Sequence, residues 1–535
     1  MTRDSVGDAP APRVAPMIDS ELGAGLTESG LLGAAGLVTA ITLLGSALGL
    51  VRDLSIAALF GANGSTDAFV VAWTIPETAT PLLVEGAMAA LLVPLFSHDL
   101  ERKGSFKESL GGLLVPMLGA LALLTVLTAL AAPLLVDALA PGLTERATGI
   151  RSVRVASLTI LSLGLSGYLM AALRTRHIFG WPAAVYIAYN VGILTMILLF
   201  HESLGVFSAA IGLAVGGACM VLVQLPAFAR FVGLPRPTLR PPRELVPRLA
   251  AFLPLAAYSL GRHFQVFVER FAGSTLTAGT ISQLNYATKV GQLPMLLALT
   301  VSLVTLPSLS RSAAGGREDR FRSLVDRNLR LGAFCIIPVV AFIIVFAPNL
   351  VALLFQRGAF DAADTDATSA ILRVYTLGLL GQVCVVVCVE ALVARPGKTW
   401  QPARAALFGL LLTGACAAVA TPLLGAPGIA LANVSGISLM AILLLRTLPA
   451  SGTTIDLVSL RRLLVACAGA AAAAAAATGA AKALLPEVSV AAQLGVVAVG
   501  GLCFAALYGL GTLLFRVPET RTLLRLAGRG RVRRP

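Results

Sequence analysis

The chain has 535 residues, 57% of them hydrophobic and 13% charged, with a formal net charge of +14. Soluble domains carry roughly 25% charged residues and are under half apolar, so a soluble fold could not cover this much apolar surface. The basic excess lies mostly in short loops, without RGG tracts, basic helices or interleaved aromatics, which argues against a nucleic-acid partner.

Residues 1–29 set Arg3 and Arg13 against Asp4, Asp8, Asp19, Glu21 and Glu28, the wrong charge for a secretory signal, and read as a disordered cytosolic tail. Apolar runs of about twenty residues then recur, each able to cross a hydrocarbon core roughly 30 Å thick. They fall at 30–51, 68–97, 110–131, 153–173, 180–200, 206–229 and 249–268, then at 279–309, 331–354, 367–393, 403–424, 428–446, 462–484 and 490–515. The expected fold is therefore all-α, a polytopic membrane protein of about 14 spans.

Loop charge sets the phase of those spans. The loops on one side hold only Arg52, Arg146, Arg151, Arg154, Arg270, Arg357 and Lys482, whereas the other side and both tails hold most of the lysine and arginine. By the positive-inside rule both termini face the cytosol, and the basic end, from Arg521 to Arg534, lies against an anionic leaflet.

A faint internal repeat divides the chain. Ala172-Leu173-Arg174-Thr175-Arg176 with Trp181 matches Ala391-Leu392-Val393-Ala394-Arg395 with Trp400, and Pro81 and Pro94 match Pro294 and Pro307, each set at a constant offset. The expected layout is an N-lobe over 30–230, a basic cytosolic linker over 231–248 and a C-lobe over 249–447. Two further spans lie within 448–515, and 516–535 form a basic cytosolic tail. Parallel repeats of this kind place a substrate site between the halves near the midplane.

Charges that lipid excludes mark the candidate site, since one at mid-membrane costs about 3 kcal/mol. Arg52 and Asp53 end the first span; Asp67, Glu77 and Glu85 lie on the second; Arg262, Glu269, Arg270 and Lys289 belong to the seventh and eighth. Arg52/Asp53 and Glu269/Arg270 also fit solvated helix ends, but Arg262 and Lys289 lie well inside apolar runs and suit an aqueous cavity that attracts an anion such as a diphosphate. Glu85 reads as a counter-ion to a cavity cation or as a titrating group. Arg373 reads as an interface anchor. Prolines within spans gather in the second and eighth (Pro76, Pro81, Pro94, Pro294 and Pro307), where backbone lining a cavity tolerates them.

The four histidines are scattered, the seven cysteines lie in apolar runs without a CxxC pair, and no phosphate loop or catalytic signature occurs. The expected protein is a transporter, not an enzyme, with no cofactor and no metal.

Several motifs carry a resemblance. They are Leu48-Gly49-Leu50-Val51-Arg52-Asp53, Phe60-Gly61-Ala62, Thr66-Asp67-Ala68-Phe69, Glu85-Gly86-Ala87 and Val93-Pro94, then Leu284-Asn285-Tyr286-Ala287, Leu293-Pro294, Leu306-Pro307-Ser308-Leu309-Ser310 and Leu353 to Asp361. Over about 30–515 the chain resembles the MurJ/MviN family of lipid II flippases, within the multidrug/oligosaccharidyl-lipid/polysaccharide exporter superfamily. The resemblance implies a bacterial cytoplasmic-membrane protein working by alternating access on a lipid-linked diphosphate, with membrane lipids and cell-wall synthesis proteins as neighbours. It implies a groove for the polyprenyl tail along the last two spans. It also carries Arg52, Asp53, Asp67 and Arg270 over as cavity positions, with Lys289 standing where many members have arginine.

The chain departs from the family pattern at Ala47, where an arginine is usual, at Thr80-Pro81, where a basic pair is usual, and at Glu77, where asparagine is usual. The eleventh span offers only Thr413 and Thr421 in its interior in place of Asn/Asp residues. These departures, with the short run after the last span, leave three alternatives: a paralogue exporting another lipid-linked glycan or amphipathic product, a proton-coupled drug exporter in which Glu85 or Asp67 titrates, and a non-transporting membrane scaffold in a cell-wall complex.

Overall fold

The computed structural model describes residues 28–84, 86–238, 245–295, 317–393, 399–448, 457–484 and 490–515, with isolated positions at 309, 311, 312, 315, 517 and 520. Every regular element among the described residues is a helix. Helices satisfy their own backbone hydrogen bonds, which a lipid surround demands. Glu85, residues 296–308, and most of the two tails lie outside the described residues.

In chain order the helices are α1 (Glu28–Phe60), α2 (Gly64–Leu83), α3 (Gly86–Lys103), α4 (Lys107–Leu130), α5 (Ala132–Leu139), α6 (Arg146–Ala156), α7 (Leu158–Thr175), α8 (Gly180–Leu204) and α9 (Phe207–Phe231). They continue as α10 (Leu245–Ser274), α11 (Thr280–Gln292), α12 (Glu318–Phe355), α13 (Ala362–Leu377), α14 (Leu379–Val393), α15 (Gln401–Leu424), α16 (Ala426–Thr447), α17 (Leu457–Leu484) and α18 (Val490–Leu514).

Among the described residues, ten stretches are long and apolar enough to cross a membrane, or eleven when α13 and α14, bent by 42° at Gly378, count as one. Among these, the second expected span runs through α2 and α3, and the fourth through α6 and α7. α10, which carries Arg262, Glu269 and Arg270, and the alanine-rich α17 are helical over sufficient length without being among the eleven. The eighth expected span starts as α11 and then leaves the described residues.

Burial confirms the solvent. Leu123, Leu130, Leu199 and Leu423 are more than half exposed, an outward apolar surface that only lipid can cover. The protein is a multi-pass membrane protein.

Packing partners recur along the chain. Before residue 238, α1 packs on α8, α8 on α9, α2 on α6 and α7 on α9; after residue 245, α10 packs on α15, α15 on α16, α11 on α13 and α14 on α16. α17 and α18 pair with each other and dock on α12 through Phe346, Ala470, Ala474 and Phe504. Asn349 Nδ2 donates to Gln493 Oε1 at 2.7 Å across that seam.

Loop ends of the two sets of helices meet on one face. Ala359 N–H donates to the Ala58 carbonyl at 2.8 Å, and Tyr286 Oη donates to the Gly61 carbonyl at 3.4 Å. Gly61 and Gly358 adopt φ of 69° and 57°, the left-handed region where glycine is unstrained. Both also lie against partner backbone too closely for a Cβ to enter without a shift.

Candidate functional site

The site grows from four elements: the last turns of α1, the body of α2, and α10 and α11, which pack against α2.

Arg52, on α1, is buried and fully engaged. Its Nε and Nη2 donate to Asp53 Oδ1 at 2.9 and 2.8 Å, and its Nη1 donates to Asn190 Oδ1 at 2.7 Å. The guanidinium lies 4.1 Å from the centroid of the Trp73 ring, a stacking that arginine favours. Asn190 in turn donates to the Gly45 and Tyr186 carbonyls at 3.0 and 2.9 Å. This network locks α1, α2 and α8 together, and it answers the question of solvated helix ends: Arg52 and Asp53 form a buried ion pair.

Asp67 sits in the first turn of α2, where Asn63 caps the helix by accepting from Ser65 and Thr66 N–H. Its carboxylate crosses to the start of α11. Oδ2 accepts from Gly279 N–H at 2.7 Å, and Oδ1 accepts from Ser282 N–H at 2.7 Å and from Ser282 Oγ at 2.6 Å. An anion there takes up N–H groups that a helix start leaves free and meets the positive end of its dipole. Gly279, with φ of 94°, makes the turn that presents its N–H.

Glu77 lies three turns further along α2, one residue after Pro76. Its Oε1 is 3.3 Å from Lys289 Nζ and its Oε2 is 3.6 Å from Arg270 Nη2. Arg270 is 2% exposed and its Nη2 also donates to Asn285 Oδ1 at 3.3 Å, while its Nε and Nη1 are buried without a partner among the described residues. His263 on α10 and Tyr189 on α8 lie within electrostatic reach of Glu77, and Tyr189 also reaches Arg52 and Asp53.

Of the sequence candidates, the structure thus joins Arg270 and Lys289 through one carboxylate, and keeps Arg52 with Asp53 and Asp67 with α11 as separate, satisfied contacts. Arg262 is half-buried beside His263 and makes no ion pair with a described residue. Glu85, expected as the counter-ion, lies outside the described residues. Glu269 turns away from the group, accepting from Asn433 Nδ2 with Tyr375 beside it. Arg373 is exposed and donates to the Ile344 carbonyl at 3.1 Å.

Sequence reasoning marked Glu77 as a charge on the second span without giving it a role, and passed over Asn190. For Glu77 the signal was visible, as a carboxylate in a span at a position where the resembling family has asparagine. Nothing marked Asn190, whose partner lies 138 residues away. A separate cleft of about 660 Å³, lined by Ala138, Phe267, Phe271, Leu276, Ala417 and Pro422, is apolar and holds none of these charges.

Comparison with known proteins agrees with this architecture. The family model described as lipid II flippase MurJ matches residues 56–495. The lipid II flippase MurJ of Burkholderia cenocepacia is 29% identical over 422 residues, covering 76% of this chain and 81% of that one. The probable lipid II flippase MurJ of Rhizobium meliloti is 30% identical over 428 residues, covering 76% and 78%. Among solved structures, a lipid II flippase MurJ in an inward closed conformation shares the fold with a TM-score of 0.74 at 21% identity, over 90% of this chain and 99% of that one. A multidrug resistance MATE family transporter of the MOP superfamily, in an inward-facing conformation, follows at 0.64 and 16% identity, over 76% and 96%. The matched length, with charge buried where the two sets of helices meet, establishes that the chain belongs to the lipid II flippase MurJ family.

Proposed function

We propose that this protein is a flippase, not an enzyme, that moves lipid II, a polyprenyl-diphosphate-linked peptidoglycan precursor, from the cytosolic to the outer leaflet of a bacterial cytoplasmic membrane by alternating access. Family membership supports the substrate. The single observation that carries the site is Arg270: a buried guanidinium at the seam with two nitrogens unpartnered among the described residues, 3.6 Å from a carboxylate that it shares with Lys289. A guanidinium offers a planar fork matched to phosphate oxygens, and an ammonium adds a point charge beside it.

In this reading Arg270 and Lys289 take the diphosphate, Arg262 lines the same cavity, and the Arg52–Asp53 pair and Asp67 hold its walls. The full count is fourteen spans, in which those of α10, α11 and α17 join the eleven. The recurrence of α1–α8–α9 packing as α10–α15–α16 packing supports two pseudo-repeated lobes, over 30–230 and 249–447. The 231–248 linker and both tails then face the cytosol, and Asp67 and Gly61 lie at the outer face, closed in this conformation. α17 and α18, docked on the flank of α12, suit a groove for the polyprenyl tail. Cell-wall synthesis proteins are expected partners because they consume the product.

The test is replacement in a bacterium depleted of its own lipid II flippase. Growth restored by this chain, and lost with Arg270→Glu at equal membrane abundance, supports the reading. No rescue by a well-expressed wild-type chain contradicts lipid II as substrate.

A further inference from the structure

Two buried arginines in this protein are paired in very different ways. Arg52 is held by three hydrogen bonds of 2.7 to 2.9 Å plus an aromatic face. Arg270, more deeply buried, meets Glu77 only at 3.6 Å, and Glu77 divides its two oxygens between Arg270 and Lys289. Nε and Nη1 of Arg270, and Oε2 of Glu77, have no hydrogen-bond partner among the described residues. One carboxylate has too few oxygens, set too far away, to satisfy a guanidinium and an ammonium together. A diphosphate, with more oxygens and more charge, can form a bidentate bond to Arg270 and still reach Lys289.

We infer that Glu77 is an internal competitor for the oxyanion: it occupies Arg270 and Lys289 in the unloaded protein, the diphosphate of the ligand displaces it, and the released carboxylate takes up one proton. This rests on reading Arg270 and Lys289 as the diphosphate site. The proton follows from the surroundings. Glu77 sits on α2 with Lys289 on α11, Arg270, His263 and Glu269 on α10, and Tyr189 on α8 as the titratable and charged groups facing it. Once both cations turn to the ligand, no other cation among the described residues lies within ion-pair distance of Glu77 to replace them. An unpaired carboxylate in a low-dielectric surround is neutralised rather than kept charged. The balance is simple: a carboxylate and a proton from the aqueous side become a carboxylic acid, and the reverse occurs on release. The asparagine usual in the family would not compete in this way, so ligand binding here becomes proton-linked.

Titration calorimetry of the purified full chain with inorganic pyrophosphate, in two buffers of different ionisation heat, reads affinity and proton count together. Glu77→Gln is expected to bind about tenfold more tightly than wild type at pH 7. Wild type should take up about one more proton per ligand than Glu77→Gln, so that the gap between them widens as pH rises. Lys289→Gln should weaken binding in both backgrounds, assigning the heat to this pair and not to surface arginines. Equal or weaker binding by Glu77→Gln, with the same proton count as wild type, overturns the competitor while leaving the diphosphate site standing. Absence of pyrophosphate binding in every protein overturns both. Glu77→Ser gives the same readout should the amide variant fail to fold, and a wild-type proton count no greater than that of pyrophosphate's own ionisation also overturns the inference.

Discussion

Asp67 offers the sharpest structural test, because one side chain ties α2 to α11 across the seam. Its carboxylate accepts from two backbone N–H groups and one hydroxyl at 2.6 to 2.7 Å. Hydrogen bonds to a charged group contribute about 1.5–3 kcal/mol each. Buried bonds that share one carboxylate are not additive, so Asp67→Ala is expected to cost about 3–5 kcal/mol, including the two N–H groups left unpaired. Asp67→Asn keeps one acceptor oxygen and should lose roughly half of that. Ser282→Ala removes only the hydroxyl and should cost about 1 kcal/mol alone, with a coupling to Asp67→Ala of about 1 kcal/mol or more. The assay is denaturant unfolding of the detergent-solubilised chain, run as a double-mutant cycle. A loss below about 1 kcal/mol for Asp67→Ala, or strict additivity with Ser282→Ala, would refute the argument that this carboxylate holds the two helices together.

Other expectations follow from the same geometry. Arg52→Lys keeps the charge but loses the two-nitrogen grip on Asp53 and the stacking on Trp73, and should cost about 1–2 kcal/mol in the same unfolding assay; a neutral result would mean that the charge alone matters. Gly61→Ala places a Cβ at φ of 69° against Ala359 backbone, and should lower the melting temperature by several degrees, about 1–3 kcal/mol of strain. Arg270→Gln removes the buried cation while Lys289 still faces Glu77, so flipping should fall by more than about tenfold, with less loss of fold stability than Asp67→Ala. Cysteines introduced near Arg236 and Ala359, one at a time, should react with a membrane-impermeant thiol reagent from opposite sides; labelling from the same side would break the orientation that the loop charges predict.

Much of this architecture was legible because lipid leaves a chain few choices. Apolar runs such as those now seen as α4, α8, α9, α15 and α16 could only be spans, and loop lysine and arginine set the phase expected of them. α10 was legible by length despite its charges. What the sequence concealed was pairing. Arg52 and Asp53 looked like a solvated helix end until Asn190 and Trp73, distant in sequence, enclosed them. Asp67 looked like a cavity charge, yet both of its oxygens are engaged by the start of α11, a partner defined only by the turn at Gly279. Glu77 was noticed as a departure from its family but not as a participant, since nothing local indicates that Lys289 and Arg270 converge on it from two other helices.

In the proposed function, the buried cations at the seam carry a lipid-linked diphosphate across the bilayer. Purified chain reconstituted into liposomes with a fluorescent lipid II tests it directly, with a membrane-impermeant quencher reporting the outer leaflet. The expected result is exchange between leaflets that depends on the protein, collapses with Arg270→Glu, and is spared by Arg373→Gln at the exposed end of α13. Exchange by the Arg270→Glu protein equal to wild type would contradict it.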